Sequence, residues 1–296
     1  LKDLWKFDLA KEMWTRLHDM PAPARYSFSM HLWNHTYIVA FGGCTKGEKG
    51  RMRVVNDLQI YNIIENAWIT PRIQESKWPD ARCRHGSHLV NLDNGSAEMY
   101  LIGGMDSEQK KRKDVWKLLL ACVKDPEVSW SRLSDVKVAV HRGFSFGLEN
   151  KVFLIGGFGQ TFRKLKEVSG SGEIVVTHDL RNLPVSERNQ FLESDSLAGF
   201  GAVYDEVGER LILIGGGNVG GPNSDRKSDK SFGNVSANVK SDSRILCLNH
   251  SKDSGQRSEW FWESKRQYEA LEPDYKLPNY LHWSAVYVDH SVLLFG

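Results

Sequence analysis

Short apolar runs that end in a glycine pair recur along the chain and constrain its fold more than any other feature. Four runs are complete: YIVAFGG at 37–43, MYLIGG at 99–104, VFLIGG at 152–157 and LILIGG at 211–216. A related run, SVLLFG, ends the sequence at Gly296. Each has the length and the β-branched or aromatic content of a buried strand. The recurrence indicates one β-rich unit repeated along the chain.

A second strand-like stretch precedes each of these runs. It opens with an aromatic residue or histidine followed by a small residue, as in Phe28-Ser29, His85-Gly86, Phe144-Ser145, Phe200-Gly201 and Trp283-Ser284. The interval to the glycine pair fits two strands and a tight turn, and Asp93-Asn94-Gly95 is a turn signal within one such interval. We therefore expect one hairpin per unit here.

A second hairpin is predicted after each glycine pair. Its first strand opens with Asp in DLWKFD at 3–8, DLQIYN at 57–62 and DVWKLL at 114–119, and a Trp follows at Trp14, Trp68 and Trp130. The unit after VFLIGG has no such Trp, and in the last one RILCLN at 244–249 leads to Trp260. Glycines permit sharp backbone turns, and a large Trp can fill the space between neighbouring sheets.

Gly-Gly followed by Asp, an aromatic residue and Trp resembles the kelch repeat, over essentially the whole chain. The resemblance implies an all-β fold, a kelch-type β-propeller built of four-stranded antiparallel blades. The residues expected to carry the structural repeat are Gly42, Gly43, Gly103, Gly104, Gly156, Gly157, Gly215, Gly216, Trp14, Trp68 and Trp130.

The expected domain organisation is a single propeller domain over residues 1–296. We expect a half blade at 1–22, full blades at about 23–78, 79–135, 136–195 and 196–268, and a half blade at 277–296. This predicts a fragment of a six- or seven-bladed ring, since kelch propellers usually have that many blades. The alternative is a closed five-bladed ring in which the N-terminal strands complete the C-terminal blade. Residues 218–242 are rich in Ser, Asn, Gly and Lys and are expected to form a flexible insertion.

The loops that follow the glycine pairs share one sign of charge. Together, residues 44–56, 105–113, 158–173 and 217–242 hold 15 Lys and Arg against 8 Asp and Glu, whereas the whole chain has a net charge of +2. Equivalent loops of a propeller emerge on one face, so their charges add. Exposed loops are also charged simply because they face solvent, and both interpretations stay open.

The functional interpretation is that this face binds an acidic or phosphorylated segment of a protein partner. The residues predicted to bind it are Lys46, Lys49, Arg51, Arg53, Lys110, Lys111, Arg112, Lys113, Arg163, Lys164 and Lys166.

The resemblance implies a scaffold or adaptor in signalling, with no catalytic residues, no metal and no cofactor. Two alternatives are the substrate receptor of a ubiquitin ligase and a kelch-type enzyme such as a copper oxidase. His85, His88 and Cys83 have metal-ligand chemistry, but His85 occupies the repeat position of Phe28 and is expected to be structural. Nucleic acid is not expected as a partner, because no aromatic stacking motif accompanies the lysines.

The location is expected to be cytoplasmic. The four cysteines, Cys44, Cys83, Cys122 and Cys247, lie far apart without a CxxC pair, which favours a reducing compartment. No apolar run approaches the ~20 residues needed to cross a bilayer, so membrane insertion is not expected.

Overall fold

The structure is a computed structural model, and its description covers most of the first 180 residues and shorter stretches beyond them. The described residues are 2–8, 10–48, 51–74, 77–121, 126–136, 143–148, 151–156, 164–179, 197–198, 201–205, 208–214, 217–218, 245–251, 259–262, 284–288 and 291–295. Within them the regular elements are β-strands. The chain divides into a first compact unit (1–141, 149–152 and 168–174) and a second (142–148, 153–167 and 175–296).

The strands follow one another in the order that the repeat predicts. Up to residue 135 they are β1 (Trp5–Asp8), β2 (Met13–Arg16), β3 (Arg25–Tyr26), β4 (Ser29–Trp33), β5 (Tyr37–Phe41), β6 (Cys44–Lys46), β7 (Met52–Val54), β8 (Leu58–Asn62), β9 (Ala67–Ile69), β10 (Arg72–Ile73), β11 (Gly86–Asn91), β12 (Ala97–Ile102), β13 (Asp114–Ala121) and β14 (Glu127–Asp135).

The later strands carry the same alternation of hairpins. They are β15 (Phe144–Leu148), β16 (Lys151–Ile155), β17 (Lys164–Val168), β18 (Ile174–Asp179), β19 (Leu197–Ala198), β20 (Gly201–Asp205), β21 (Arg210–Ile214), β22 (Gly217–Asn218), β23 (Ile245–Ser251), β24 (Glu259–Trp262), β25 (Ser284–Val288) and β26 (Ser291–Phe295).

Four-stranded sheets are the main building blocks, as the kelch resemblance implies. Blade I has the order β4-β5-β8-β9, and blade II has β11-β12-β13-β14 with β10 added in parallel beside β14. Blade III has the order β15-β16-β17-β18, and blade IV has β20-β21-β23-β24. Blades I, II and IV pair consecutive strands antiparallel. Two-stranded sheets are formed by β1-β2, β19-β22 and β25-β26, and a three-stranded sheet by β3-β6-β7.

The second strand of each blade is buried on both faces, which explains its continuous apolar sequence. In β12 all residues except Glu98 are buried, and in β16 only Lys151 is exposed. The first strands alternate instead: in β4, Ser29 and Trp33 are buried while Met30 and Leu32 are exposed. Central strands thus supply the apolar core of each blade.

Trp130 fills the space between blades I and II, as predicted. It is 3% exposed, and its ring centroid lies 5.0 Å from Phe41 of blade I and 6.0 Å from Trp78. Trp68 packs on Tyr61 of its own sheet at 5.0 Å and donates a hydrogen bond to the His18 carbonyl. Trp14 differs, because its side chain is 54% exposed beside Phe7.

In the second unit an aromatic cluster plays the same role. Phe146 stacks on Phe153 and Tyr204 at 5.3 and 5.2 Å, and Trp260, 2% exposed, packs edge-on against Phe146 at 6.0 Å. Leu211, Leu213 and Leu248 complete this core.

The glycine pairs adopt backbone angles that favour glycine. In the described part, Gly42, Gly43, Gly103, Gly104 and Gly156 have φ of 69°, 105°, 62°, 95° and 67°. At Gly104 a Cβ would lie 2.9 Å from the Cys83 carbonyl oxygen, so no side chain fits there. Gly157, Gly215 and Gly216, and nearly all of the predicted insertion 218–242, lie outside the described residues.

Candidate functional site

The segment of residues 105–113, called the basic turn below, is held by backbone and side-chain hydrogen bonds. Met105 exchanges two 3.0 Å backbone hydrogen bonds with Cys83. One carboxylate oxygen of Asp106 accepts hydrogen bonds from the backbone N–H groups of Glu108 and Lys110, at 3.0 and 2.9 Å. Asp residues favour turns because their side chains bind nearby backbone N–H groups. The turn is therefore ordered before any partner arrives.

Arg112 fastens the same turn from its other end. Its guanidinium lies 2.6 Å from the Asp80 carboxylate and 3.5 Å from that of Asp106, and its backbone N–H donates to the Gly104 carbonyl. This arginine was predicted to bind a partner. In the structure its charge is already engaged by two carboxylates, so it serves to hold the turn.

The three lysines of the basic turn have a different environment. Lys110, Lys111 and Lys113 are exposed, and no carboxylate among the described residues forms an ion pair with any of them. Their hydrogen bonds involve the backbone: the Lys110 N–H donates to the Asp106 carboxylate, and the Lys113 carbonyl accepts from the Val136 N–H at 2.7 Å. The side chains thus present three uncompensated positive charges.

These lysines border a pocket of about 290 Å³. It is lined by Asp80, Asp106, Lys110, Lys111, Arg112, Lys113, Asp114, Trp116, Arg132 and Asp135. Every carboxylate in the lining is paired with an arginine: Arg112 holds Asp80 and Asp106, Arg82 holds Asp114, and Arg132 holds Asp135. These three arginines face four aspartates, and the three lysines turn the balance positive, so the surroundings of the pocket are basic.

A second predicted loop lies beside the basic turn. Strands β6 and β7 form a hairpin over residues 44–54, called the basic hairpin below, on which Lys46, Arg51 and Arg53 are exposed. The Val54 N–H donates a 3.2 Å hydrogen bond to the Ser107 hydroxyl of the basic turn. The structure therefore brings two of the four predicted basic loops together. Lys49 lies outside the described residues.

The third predicted loop is different from expectation. Residues 164–168 form strand β17, and Lys166 is only 9% exposed, between the buried Leu165 and Glu167. Burial, together with the charge of Lys164, lowers the pKa of Lys166. The expectation of a loop was wrong here because the charged residues of KLKEV do not form the apolar pattern of a buried strand. Because Lys166 is buried, its ammonium group cannot bind a partner. Arg163 lies outside the described residues, and the fourth loop is described only at Gly217 and Asn218.

Sequence reasoning missed a pair of buried arginines. Arg82 donates to the Gly103 carbonyl at 3.0 Å and to both carboxylate oxygens of Asp114 at 2.9 and 2.7 Å. Arg25 does the same with the Gly42 carbonyl, at 3.0 Å, and with Asp57, at 2.7 and 2.6 Å. In blades I and II, the Asp at the start of the third strand is thus the partner of an arginine that precedes the first strand.

A sequence signal for these arginines exists. Each stands three residues before the aromatic or histidine that opens the first hairpin, at Phe28 and at His85. The shared offset from the repeat marks them as part of the unit. Desolvation would raise the pKa of Asp114, but hydrogen bonds and charge from Arg82, aided by the Trp116 N–H, outweigh it and keep this pKa low.

Three histidines of the first unit, His31, His85 and His88, are packed between blades I and II. His85 lies edge-on against Phe41 at 5.9 Å, and His31 shares a 2.7 Å hydrogen bond with the Ser87 hydroxyl. Burial lowers the pKa of His31 and His85 to about 3 and that of His88 to about 4. In the part of the chain described, no three His, Cys, Asp or Glu side chains are grouped to hold a metal ion.

The blades, their glycine turns and the repeated Arg–Asp contact define a kelch-type β-propeller protein. The profile of the KLHDC2/KLHL20/DRC7 Kelch-repeats domain matches residues 1–157, more than half of the chain, and the chain belongs to this kelch-repeat family. Membership supports a protein-interaction propeller in general.

Comparison with solved structures gives the same fold. A structure described as "Structure of YjhT" matches with a TM-score of 0.60 and 17% sequence identity, covering 100% of this chain and 84% of that chain. At this identity the similarity concerns the fold alone. No curated protein gives a significant match to the sequence. A helix long and apolar enough to cross a bilayer is absent from the described residues.

Proposed function

We propose that this propeller is a scaffold or adaptor that binds an acidic or phosphorylated segment of a protein partner through the basic turn. The observation that carries the proposal is the state of Lys110, Lys111 and Lys113. They are exposed, and among the described residues no carboxylate forms an ion pair with them. The turn that carries them is held in shape by Asp106 and Arg112. Positive charges held in this way attract carboxylate or phosphate oxygens.

Preorganisation favours this surface as a binding site. Ordering a flexible loop costs free energy on binding, and a turn that is hydrogen-bonded beforehand avoids much of that cost. The basic hairpin extends the surface, since Arg53 is adjacent to Val54, which is bonded to Ser107 of the turn. An extended acidic segment lying across both would meet Lys46, Arg51 and Arg53 as well as the three lysines.

The proposal includes a non-catalytic role and a cytoplasmic location. The location is favoured by four cysteines spaced without a disulfide framework. The non-catalytic role is favoured by the family, whose propellers commonly present loops to other proteins. A reaction would require a substrate site, and the pocket beside the lysines is lined by charged side chains engaged with one another.

The test is affinity purification of the full-length protein followed by mass spectrometry. The wild type is compared with a variant that carries Lys110→Glu, Lys111→Glu and Lys113→Glu. We expect a defined protein with an acidic or phosphorylated segment to be captured by the wild type and lost from the variant. Phosphatase treatment of the extract then separates phosphate recognition, where capture is lost, from carboxylate recognition, where it persists.

A matched control carries the same change in charge elsewhere on the first unit. Lys2→Glu, Lys6→Glu and Lys77→Glu alter three exposed lysines and are expected to leave capture unchanged. Identical partner sets from the wild type and the basic-turn variant would overturn the proposal. Equal loss from both triple variants would show that only the net charge matters.

A further inference from the structure

Four sulfur-containing side chains, from the basic hairpin, the basic turn and Cys83, belong to one cluster. Cys44, Val54, Cys83 and Met105 form one buried cluster, and Met52 packs against it. Cys44 and Cys83 are each 0% exposed and Met105 is 5% exposed. The proposed partner surface uses none of these sulfur atoms, so the cluster is independent of the proposed function.

Backbone hydrogen bonds bring the two cysteines together. The Gly43 N–H donates a hydrogen bond to the Arg82 carbonyl at 2.9 Å. Cys44 is the residue after Gly43, and Cys83 is the residue after Arg82. Cys83 is paired with Met105 through two 3.0 Å backbone hydrogen bonds. Within the β6–β7 hairpin, the Cys44 thiol donates to the Met52 thioether at 3.4 Å. Each cysteine therefore has a methionine beside it.

The ligand types select a particular kind of metal ion. Thiolates and thioethers are soft ligands that favour Cu(I), whereas carboxylates favour hard ions such as Mg²⁺ and Ca²⁺. The described residues offer no third His, Cys, Asp or Glu at this place, so Met52 and Met105 are needed to complete a coordination set. Zinc sites rarely use thioethers, which makes Zn²⁺ a poor fit.

The surroundings suit such an ion. An Arg84 guanidinium nitrogen lies 3.6 Å from the Met105 sulfur, so a positive charge stands beside the site when the thiols lose their protons. Met52 is only partly buried, which leaves an approach from solvent to an otherwise enclosed cluster. An entry path and deprotonated ligands are requirements for metal uptake.

We propose that Cys44, Met52, Cys83 and Met105 form a Cu(I)-binding site. Binding of one Cu(I) ion displaces the thiol protons and joins the basic hairpin to the segment that carries Cys83. The full-length protein is titrated with Cu(I) under anaerobic conditions against a chromophoric Cu(I) chelator. We expect one tightly held ion per chain and a near-ultraviolet thiolate-to-copper absorption band.

Substitutions identify the ligands. Cys44→Ser and Cys83→Ser are expected to abolish the absorption band, and Met52→Leu, which keeps the size and apolar character of the side chain, is expected to weaken retention against the chelator. Cys122→Ser and Cys247→Ser are the matched controls and are expected to leave binding unchanged. Because Cys44→Ser alters a buried position, circular dichroism of each variant verifies that it is folded.

A second measurement uses the wild-type protein alone. In urea at a concentration that opens the copper-free protein and so exposes the buried thiols, bound Cu(I) is expected to protect Cys44 and Cys83, but not Cys122 or Cys247, from alkylation in mass-mapped digests. Absence of a retained Cu(I) ion, protection of the other two cysteines instead, or unchanged retention in Cys83→Ser would overturn the proposal. Equal retention of Zn²⁺ would contradict the assignment to a soft monovalent ion.

Discussion

Arg82 binds both carboxylate oxygens of Asp114 through its two terminal guanidinium nitrogens, at 2.9 and 2.7 Å. The arginine side chain is 0% exposed and that of Asp114 is 12% exposed. The contact ties the third strand of blade II to the segment that leads into its first strand. Arg25 and Asp57 form the same contact in blade I, where the aspartate is 37% exposed.

Asp114→Asn is expected to destabilise the first unit by about 3 kcal/mol, because it leaves a buried guanidinium without its counter-charge. The measurement is the free energy of unfolding in urea, followed by tryptophan fluorescence. Asp57→Asn is expected to cost less, since water reaches Asp57 more readily.

The control for this prediction stands directly across the sheet. Asp135 is the register partner of Asp114 and pairs with Arg132 with both side chains more than half exposed, at 55% and 53%. Asp135→Asn is expected to cost less than about 1 kcal/mol, as exposed ion pairs do. An equal loss of unfolding free energy in Asp114→Asn and Asp135→Asn would contradict the claim that burial makes the Arg82–Asp114 pair the more important one.

The histidines between blades I and II are expected to make the protein sensitive to mild acid. Burial lowers the pKa of His85 to about 3 from an ordinary value of 6.5. Between these values the unfolded chain binds more protons than the folded chain, so stability falls as the pH decreases below about 6.5. The slope for one such histidine is at most about 1.4 kcal/mol per pH unit.

His85→Phe isolates this effect. Phe occupies the equivalent repeat position at Phe28 and Phe144, and neither ring nitrogen of His85 has a hydrogen-bond partner in the described structure. We expect unchanged or greater stability at pH 7 and a flatter dependence of the unfolding free energy between pH 6.5 and 4. His35→Asn, at an exposed turn position, is the control and is expected to keep the wild-type slope. An unchanged slope in His85→Phe would count against the prediction.

Gly104→Ala is expected to destabilise the junction between blade II and the basic turn. The residue has φ of +95°, and an added Cβ would lie 2.9 Å from the Cys83 carbonyl oxygen and 3.0 Å from the His85 Cβ. We expect a loss of roughly 2 kcal/mol, from backbone strain and the steric clash together. Thermal and urea unfolding measure it.

Gly170→Ala provides the comparison. Its nearest atom to an added Cβ is the Tyr100 hydroxyl oxygen at 3.8 Å, an ordinary contact distance. This variant is expected to fold with little change in stability. A tolerated Gly104→Ala, or an equally large loss at Gly170, would show that local space does not determine the requirement for glycine.

The parts of the fold that follow from short-range pattern were predictable from the sequence. Apolar runs with glycine pairs identify the second strands, and the repeat predicts a Trp between neighbouring sheets, where Trp130 contacts Phe41. Strand β17 was not predicted because its sequence, KLKEV, is largely polar, although four of its five residues are buried.

The candidate site was predictable only in part, since it depends on contacts between distant residues. Loop charge identified Lys110, Lys111 and Lys113, but composition cannot show that Arg112 is engaged by Asp80, which lies 32 positions earlier. The contact of Arg82 with Asp114 is equally remote in sequence. A sum of loop charges includes the paired arginine and the exposed lysines with equal weight. The structure shows that Arg112 is held by carboxylates whereas the three lysines are exposed.

Whether the basic turn binds a partner is tested by the dissociation constant of the captured partner segment as a function of salt concentration. It is measured for the wild type, for the variant with Lys110, Lys111 and Lys113 changed to Glu, and for the control with Lys2, Lys6 and Lys77 changed to Glu. We predict affinity weakened on the order of 100-fold and a reduced salt dependence in the basic-turn variant alone. The same affinity and salt dependence in all three proteins would contradict a binding role for the basic turn.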